Sequence, residues 1–252
     1  MTNMRRRSFA ALLTCALCAG GALVPARAWA AEGDYLLKAG KVYRVDGGKE
    51  RLLEDAELQR QDTDAGLFSW ILVGPEAEGM GGSESGIYLF LGEDGPAGFL
   101  PMKDAGSCMV ELSPSGEKML TSCGEEIKQD IGVYLVDAAN KSFIKKKSLV
   151  GRIHPFWIDA HRFLFTAIDE GKGLRGGAED AWWYSAALYD TAEDELIVLK
   201  EATETRSYMV AGCDHDEGMA EISEASVKDE KDWADVDKIE YEDISVPIPA
   251  AG

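Results

Sequence analysis

A unit that returns at nearly even intervals restricts this chain more than any other feature: an apolar strand ending in Asp, a short polar turn, and a second apolar strand. It reads Val42-Tyr43-Arg44-Val45-Asp46, Gly47-Gly48-Lys49-Glu50, Arg51-Leu52-Leu53. It returns as Val133-Tyr134-Leu135-Val136-Asp137, Ala138-Ala139-Asn140-Lys141, Ser142-Phe143-Ile144, and as Ala186-Ala187-Leu188-Tyr189-Asp190, Thr191-Ala192-Glu193-Asp194, Glu195-Leu196-Ile197-Val198. A weaker copy has Ile87-Tyr88-Leu89-Phe90 as its strand and Glu93-Asp94-Gly95 as its turn. Counted from positions 42, 87, 133 and 186, the steps are 45, 46 and 53 residues. Runs of four to seven apolar residues between Gly, Asp, Asn and Ser clusters are strand-and-turn grammar, and no amphipathic helix is legible in the body.

A second hairpin precedes each copy after the first. Glu57-Leu58-Gln59-Arg60 turns at Thr63-Asp64-Ala65-Gly66 into the run 67–73, and residues 108–112 turn at Ser113-Pro114-Ser115-Gly116 into 118–122. Pro155-Phe156-Trp157-Ile158 turns at Asp159-Ala160-His161 into 162–166, and Tyr208-Met209-Val210-Ala211 turns at residues 214–218 into Met219-Ala220-Glu221-Ile222. Two hairpins per period make four antiparallel strands, A to D, every 45–53 residues, the pattern of a propeller blade.

The turn Ser113-Pro114-Ser115-Gly116-Glu117-Lys118, followed by a strand ending Val136-Asp137, resembles blades of TolB-like and WD-repeat β-propellers. Their A–B turn usually reads Ser-Pro-Asp-Gly-Lys; here Ser115 replaces the Asp and Glu117 intervenes before Lys118. The resemblance covers the body by period and one blade by motif. It implies a fold and carries over no catalytic residue. The expectation is an all-β protein, a small propeller of four or five four-stranded blades spanning residues 31–252, with a large β-sandwich or a partial propeller closed by a partner chain as rivals. The N-terminal unit lacks its own strand A, and strands from both termini are expected to close the ring and remove an open edge. The repeated Asp is read as structural, accepting backbone N–H bonds in the C–D turn.

Residues 1–30 are of another kind. Arg5, Arg6 and Arg7 precede an apolar stretch at 9–24 and the small-residue exit Ala28-Trp29-Ala30, the order of a secretory signal peptide cleaved after Ala30. The stretch is broken by Gly20, Gly21 and Pro25 and falls short of the ~20 apolar residues of a spanning helix. Arg6-Arg7-Ser8-Phe9 partly matches a twin-arginine signal, so export by either the Sec or the twin-arginine route is expected, to the periplasm or the medium. Neither Cys15 nor Cys18 sits in a lipoprotein cleavage context. The chain carries a net −19; without the leader, 22 basic face 45 acidic residues, a net of −23. Such a field repels nucleic acid and anionic lipid, so neither is an expected partner.

Three cysteines follow the leader. Hairpin pairing about Ser115-Gly116 sets Cys108 opposite Cys123, whereas a three-residue turn sets them one residue out of register. A cross-strand disulfide suits an oxidising compartment, and two small buried thiols are the alternative. Cys213 is left over, and with His215 and Asp216 it forms a weak metal candidate whose spacing matches no standard zinc or calcium loop.

The A–B and C–D connections read as tight turns, leaving length variation to the B–C connections at 74–86, 124–131, 169–181 and 225–237, which a propeller gathers on one face. Long loops on a rigid scaffold usually carry function. Two of these hold aromatics, Trp182-Trp183-Tyr184 and Trp233, and these four are the candidate binding residues. The alternative for the trio is that it opens strand C and packs inward, while Trp233, among Lys231, Asp232 and Asp235, reads as exposed. No catalytic set is legible: Gly82-Ser83-Glu84-Ser85-Gly86 has Glu where a nucleophile elbow needs Ser, no phosphate loop occurs, and no cofactor motif is present. The acidic stretch 229–243 reads as a solvated loop or a weak calcium ligand. Three functions fit: binding or scaffolding of an envelope protein, peptide or glycan; an envelope glycan hydrolase using two carboxylates on the same face; or a metal-loaded exported protein. Oligomeric state is not legible.

Overall fold

The computed structural model describes residues 35–250 except 55, 75–84, 104, 126 and 176–180, and omits the side chains of 153 and 154. The segment read as a leader and most of the first B–C connection therefore lie outside the described residues. All regular structure within them is antiparallel strand and short 3-10 turn. No helix among them is long and apolar enough to cross a membrane.

The first strands are β1 (Tyr35–Lys38), β2 (Lys41–Asp46) and β3 (Lys49–Leu52), followed by β4 (Gln59–Thr63), β5 (Gly66–Val73), β6 (Gly86–Leu91), β7 (Gly95–Pro96) and β8 (Gly98–Pro101). They form two sheets, ordered β3-β2-β1-β7 and β4-β5-β6-β8. The N-terminal unit does lack its own first strand. Two residues of the next unit, Gly95 and Pro96, cross over and pair with Leu37 and Leu36 in the fourth place. The β2–β3 turn is tighter than the sequence reading: Asp46 pairs with Lys49 around Gly47 and Gly48, both at positive φ, as a two-residue hairpin turn requires.

Then come β9 (Met109–Leu112), β10 (Lys118–Glu125), β11 (Lys128–Asp137), β12 (Ser142–Trp157), β13 (Arg162–Ile168), β14 (Tyr184–Asp190) and β15 (Glu195–Lys200). The expectation of separate four-stranded blades fails here, because all seven share one sheet. Strand β12 is the reason. Residues 142–151 of it pair with β11, and from Gly151 onward it pairs with β13. It is strand D of one repeat and strand A of the next without a break. Gly151 faces both partners, and a Cβ there would stand 2.7 Å from the Thr166 carbonyl oxygen and 2.8 Å from Ile131 Cδ1. The register then slips between Arg152 and Phe156, which accommodates Pro155 and its missing N–H.

The last sheet is β16 (Arg206–Asp214), β17 (Met219–Ser226) and β18 (Glu240–Pro247). Residues expected to form two short terminal strands form the single strand β18. The sheets are not closed into a ring: β18 pairs with β17 alone, and no hydrophobic cluster among the described residues joins this sheet to the first. Glu240, Glu242, Asp243 and Pro247 line the free strand, and such residues blunt an open edge.

Packing follows chain order. Tyr35, Leu37 and Val42 of the first sheet meet Ile71, Val73, Tyr88 and Phe90 of the second. The opposite face of the second, with Phe68, Trp70, Ile87 and Leu89, meets Leu112, Met119 and Tyr134. Leu120, Ile131 and Val133 point the other way, onto Phe163, Phe165, Ala187 and Tyr189. Leu164, Ala186 and Leu188 then meet Tyr208, Val210, Ala220 and Ile222. The long sheet thus folds on itself at Gly151, and five structural units stack in sequence.

The repeated Asp behaves as read at two of its copies. Asp137 accepts from the Asn140 backbone N–H at 3.0 Å and from its Nδ2 at 2.7 Å, and Asp190 accepts from the N–H of Ala192 and Glu193 at 2.8 and 3.2 Å. Lys141 and Asp194, the last residues of these turns, share a left-handed conformation. Asp46 differs and pairs with Arg44. At the opposite turn of the third repeat, Leu112 pairs with Met119, so Cys108 falls directly opposite Cys123, at a Cα separation of 4.2 Å. The disulfide is formed, with the Met102 sulfur 3.1 and 3.2 Å from its two sulfur atoms.

Two stability predictions follow from this architecture. Bridging 15 residues contributes about 3 kcal/mol by loop entropy. Urea unfolding of the Cys108→Ala/Cys123→Ala double variant should show a loss of that order; an unchanged midpoint would mean the bridge constrains nothing. Glu111, opposite Leu120 on β9, has its carboxyl pushed up to about 7 by burial. The folded state then holds a proton that the unfolded chain releases near 4.5, so stability falls as pH rises from about 4.5 to about 7 and is level above. Glu111→Gln should remove that slope and raise stability at pH 7.5 by roughly 2–3 kcal/mol at most, read from Tm against pH for both proteins.

Candidate functional site

The second, third and fourth B–C connections touch one another in turn, while the first lies mostly outside the described residues. The second is a correction: 124–131 is not a long loop, because β10 and β11 stay paired to Glu125 and Lys128. Ser122 Oγ donates to Gln129 Oε1 at 2.8 Å across this extension, and Gly124 at φ 122° gives the backbone the conformation it needs. The tip of this hairpin touches the next connection. Lys128 Nζ is 2.5 Å from Glu170 and 4.8 Å from the Trp182 ring centre, and Tyr184 OH donates to Ile127 O at 3.1 Å. The third connection touches the fourth through Arg175, whose guanidinium carbon lies 4.3 Å from the Trp183 ring and 4.9 Å from the Trp233 ring.

Between these last two connections lies a cleft of about 440 Å³, lined by Arg152, Ala181, Trp182, Tyr184, Ser207, Met209, Ala225, Trp233, Ala234, Val236, Ile239 and Tyr241. Three of the four sequence candidates therefore share one wall system. Trp182 is half-buried on it and precedes β14. Tyr184 opens β14 and is buried, the inward alternative weighed from sequence. Trp183 stands apart from the lining, against Arg175 and Lys172. Trp233 corrects the expectation of exposure: it is 8% exposed, packs with Ala225 and Val227, and its Nε1 donates to Glu204 O at 2.8 Å.

The acidic stretch that follows folds itself. Asp229 accepts from Lys231 N and Asp235 from Asp237 N, capping two 3-10 turns, Glu230–Ala234 and Val236–Lys238. Asp232 holds Lys238 Nζ at 2.8 Å. These carboxylates position the loop that carries Trp233 and Val236, a role that residue spacing alone does not reveal.

Sequence reading missed Arg152, Arg175, Met209, Val236 and Tyr241. Only Tyr241 carried a signal, an aromatic on an acidic strand. Val236 and Tyr241 are 73% and 62% exposed, the two most exposed large apolar side chains among the described residues, and both stand on this cleft. Arg175 is fully buried, with Nη1 donating to Arg206 O at 2.9 Å. Burial draws its guanidinium down to about 10, against the opposing pull of Glu230 and Tyr184, so it stays cationic at neutral pH.

The other candidates are not assembled into a site. Among the described residues the lining includes no carboxylate, so the pair needed for glycan hydrolysis is not brought together there, and Glu111 lies outside it. Cys213 packs against the Leu164–Val210 cluster, its thiol pushed up by burial and by Asp214 and Glu221, which disfavours the thiolate a metal needs. Asp214, beside it, accepts from the N–H of Asp216 and Glu217 and so sets the β16–β17 turn. No group of three or more His, Cys, Asp or Glu side chains among the described residues is placed to hold a metal ion.

No family model and no curated protein sequence matches the chain. Solved structures similar to it include a putative TolB from Agrobacterium tumefaciens, with TM-score 0.42, 14% identity, and 84% of this chain against 73% of that one. The tricorn protease matches at TM-score 0.45 and 9% identity, over 78% of this chain and 19% of that one. TolB from Acinetobacter baumannii matches at TM-score 0.29 and 14% identity, over 85% and 63%. These likenesses, TolB structures among them, concern fold at low identity, and no activity or partner follows from them.

Proposed function

We propose that this chain is an exported, propeller-like binding protein of four or five blades that engages a protein or peptide partner through the cleft between its last two B–C connections. The carrying observation is the exposure of Val236 and Tyr241 beside Trp182 on a concave, largely apolar surface. Leaving such side chains in water costs about 1.5–3 kcal/mol each relative to full burial, and covering them with a partner recovers part of that cost. Aromatic patches of this kind are where interface energy concentrates. A glycan fits less well, since Ala181, Met209, Ala225, Ala234, Val236 and Ile239 offer its hydroxyls no hydrogen bonds through their side chains. The leader and the Cys108–Cys123 bridge support an oxidising compartment outside the cytoplasm.

A photo-crosslinking amino acid placed at Tyr241, in protein expressed with its own leader, should yield one dominant envelope-protein adduct. Trp182→Ala should reduce that adduct at least 10-fold while circular dichroism stays unchanged. Equal adduct from a crosslinker at Asp216, or full adduct in the Trp182→Ala background, would overturn the assignment of this face.

A further inference from the structure

Resting on the binding reading just given, the geometry points to a specific occupant: we infer that the cleft receives the C-terminal carboxylate of a partner chain together with the apolar or aromatic side chain of its last residue.

The argument begins with charge. In a chain of net −19, Arg152 is the only charged side chain on the described lining of the cleft. Its guanidinium lies 5.1 Å from the Tyr184 ring, and its buried Nε has no hydrogen-bond partner. Ser207, also on the lining, has a buried hydroxyl without a partner. Immediately behind the Trp233 wall, Arg175 Nε and Nη2 and Trp183 Nε1 are buried and likewise unpaired. Arg175 makes no ion pair among the described residues, although acids outnumber bases by 45 to 26 in the chain.

Each buried donor without an acceptor costs about 1–3 kcal/mol, more for a charged one. Two of these atoms, Arg152 Nε and Ser207 Oγ, belong to the cleft wall itself and the other three lie a layer behind it, so the wall calls for a ligand that brings acceptors. An internal peptide segment brings N–H groups as well as carbonyls, and the described lining holds no carboxylate or amide side chain to receive them. A chain end brings two carboxylate oxygens and no donor, and an arginine fork matches a carboxylate in plane. A volume of about 440 Å³ is that of a small-molecule pocket, with room for one or two residues and not for an added strand. The apolar lining then accounts for the side chain of that last residue.

The test uses the whole exported protein and three peptide probes, titrated by calorimetry or by NMR: N-acetyl-Gly-Gly-Phe with a free carboxylate, the same peptide as its C-terminal amide, and N-acetyl-Gly-Asp-Phe-Gly amide. The expected result is that the free acid binds at least 10-fold more tightly than either amide, and that Arg152→Gln removes the preference. Arg152→Lys, which keeps the charge without the fork, should retain part of it and guards against misfolding of the Gln variant. Equal affinity of acid and amide would overturn the carboxylate inference and leave the binding reading intact. Tight binding of the Asp-containing amide would overturn the chain-end assignment in favour of an acidic side chain. Binding of none of the three would overturn the inference, and the Tyr241 crosslink, measured separately, decides whether the binding reading falls with it.

Discussion

Side chains on the central strands alternate between two apolar layers, and the rest of the molecule depends on that alternation. In β13, Phe163 and Phe165 point into one cluster while Leu164 points into the next, and all three are essentially without solvent contact. A strand buried on both faces must be apolar at nearly every position, unlike the half-wet strand of a two-layer sandwich. Each of these clusters is therefore shared between sequence neighbours. This is the energetic pattern of a repeat stack, where neighbouring units supply one another's missing core.

Polar contacts tie the turn end of the stack together. Asp64 N donates to Pro114 O at 2.8 Å, Lys118 Nζ to Ala160 O at 3.0 Å, and Thr191 N to His161 O at 2.9 Å, so consecutive turns are bonded one to the next. Gln61 makes both amide bonds to the backbone of Leu112, joining the inner strands of adjacent sheets. The other end is built differently. There Arg175, the cation–π contacts and the capped 3-10 turns join and shape the longer connections, and the cleft lies between them.

The cleft and the acidic surface answer to different demands. Most carboxylates of the loop 229–243 are exposed, and several cap turns or pair with lysines, as stability and solubility require. The cleft instead sets Arg152 and Ser207, each with a buried polar atom left unpaired, among tryptophan and tyrosine rings. Natural interiors rarely tolerate unpaired buried donors, so their concentration beside the most exposed apolar side chains ties the two observations to one occupant.

Much of the fold was legible because it is local. Turn residues fixed the hairpins at Thr63–Gly66, Ser113–Lys118 and Asp190–Glu195, the pairing arithmetic about Ser115-Gly116 set Cys108 across from Cys123, and the role of Asp137 and Asp190 followed from turn chemistry. The convergence of Trp182, Tyr184 and Trp233 was legible in outline, through the repeat. The continuity of β12 through two repeats, the loan of Gly95 and Pro96 to the first sheet, and the open terminal sheet were not, because a strand's partner depends on which neighbour lies within hydrogen-bonding distance. Nor could residue order show that Trp233 is buried, that Arg152 meets Tyr184 or that Arg175 meets both Trp183 and Trp233. Burial and charge compensation are properties of an assembled environment, and only the stacking of the last two units creates it.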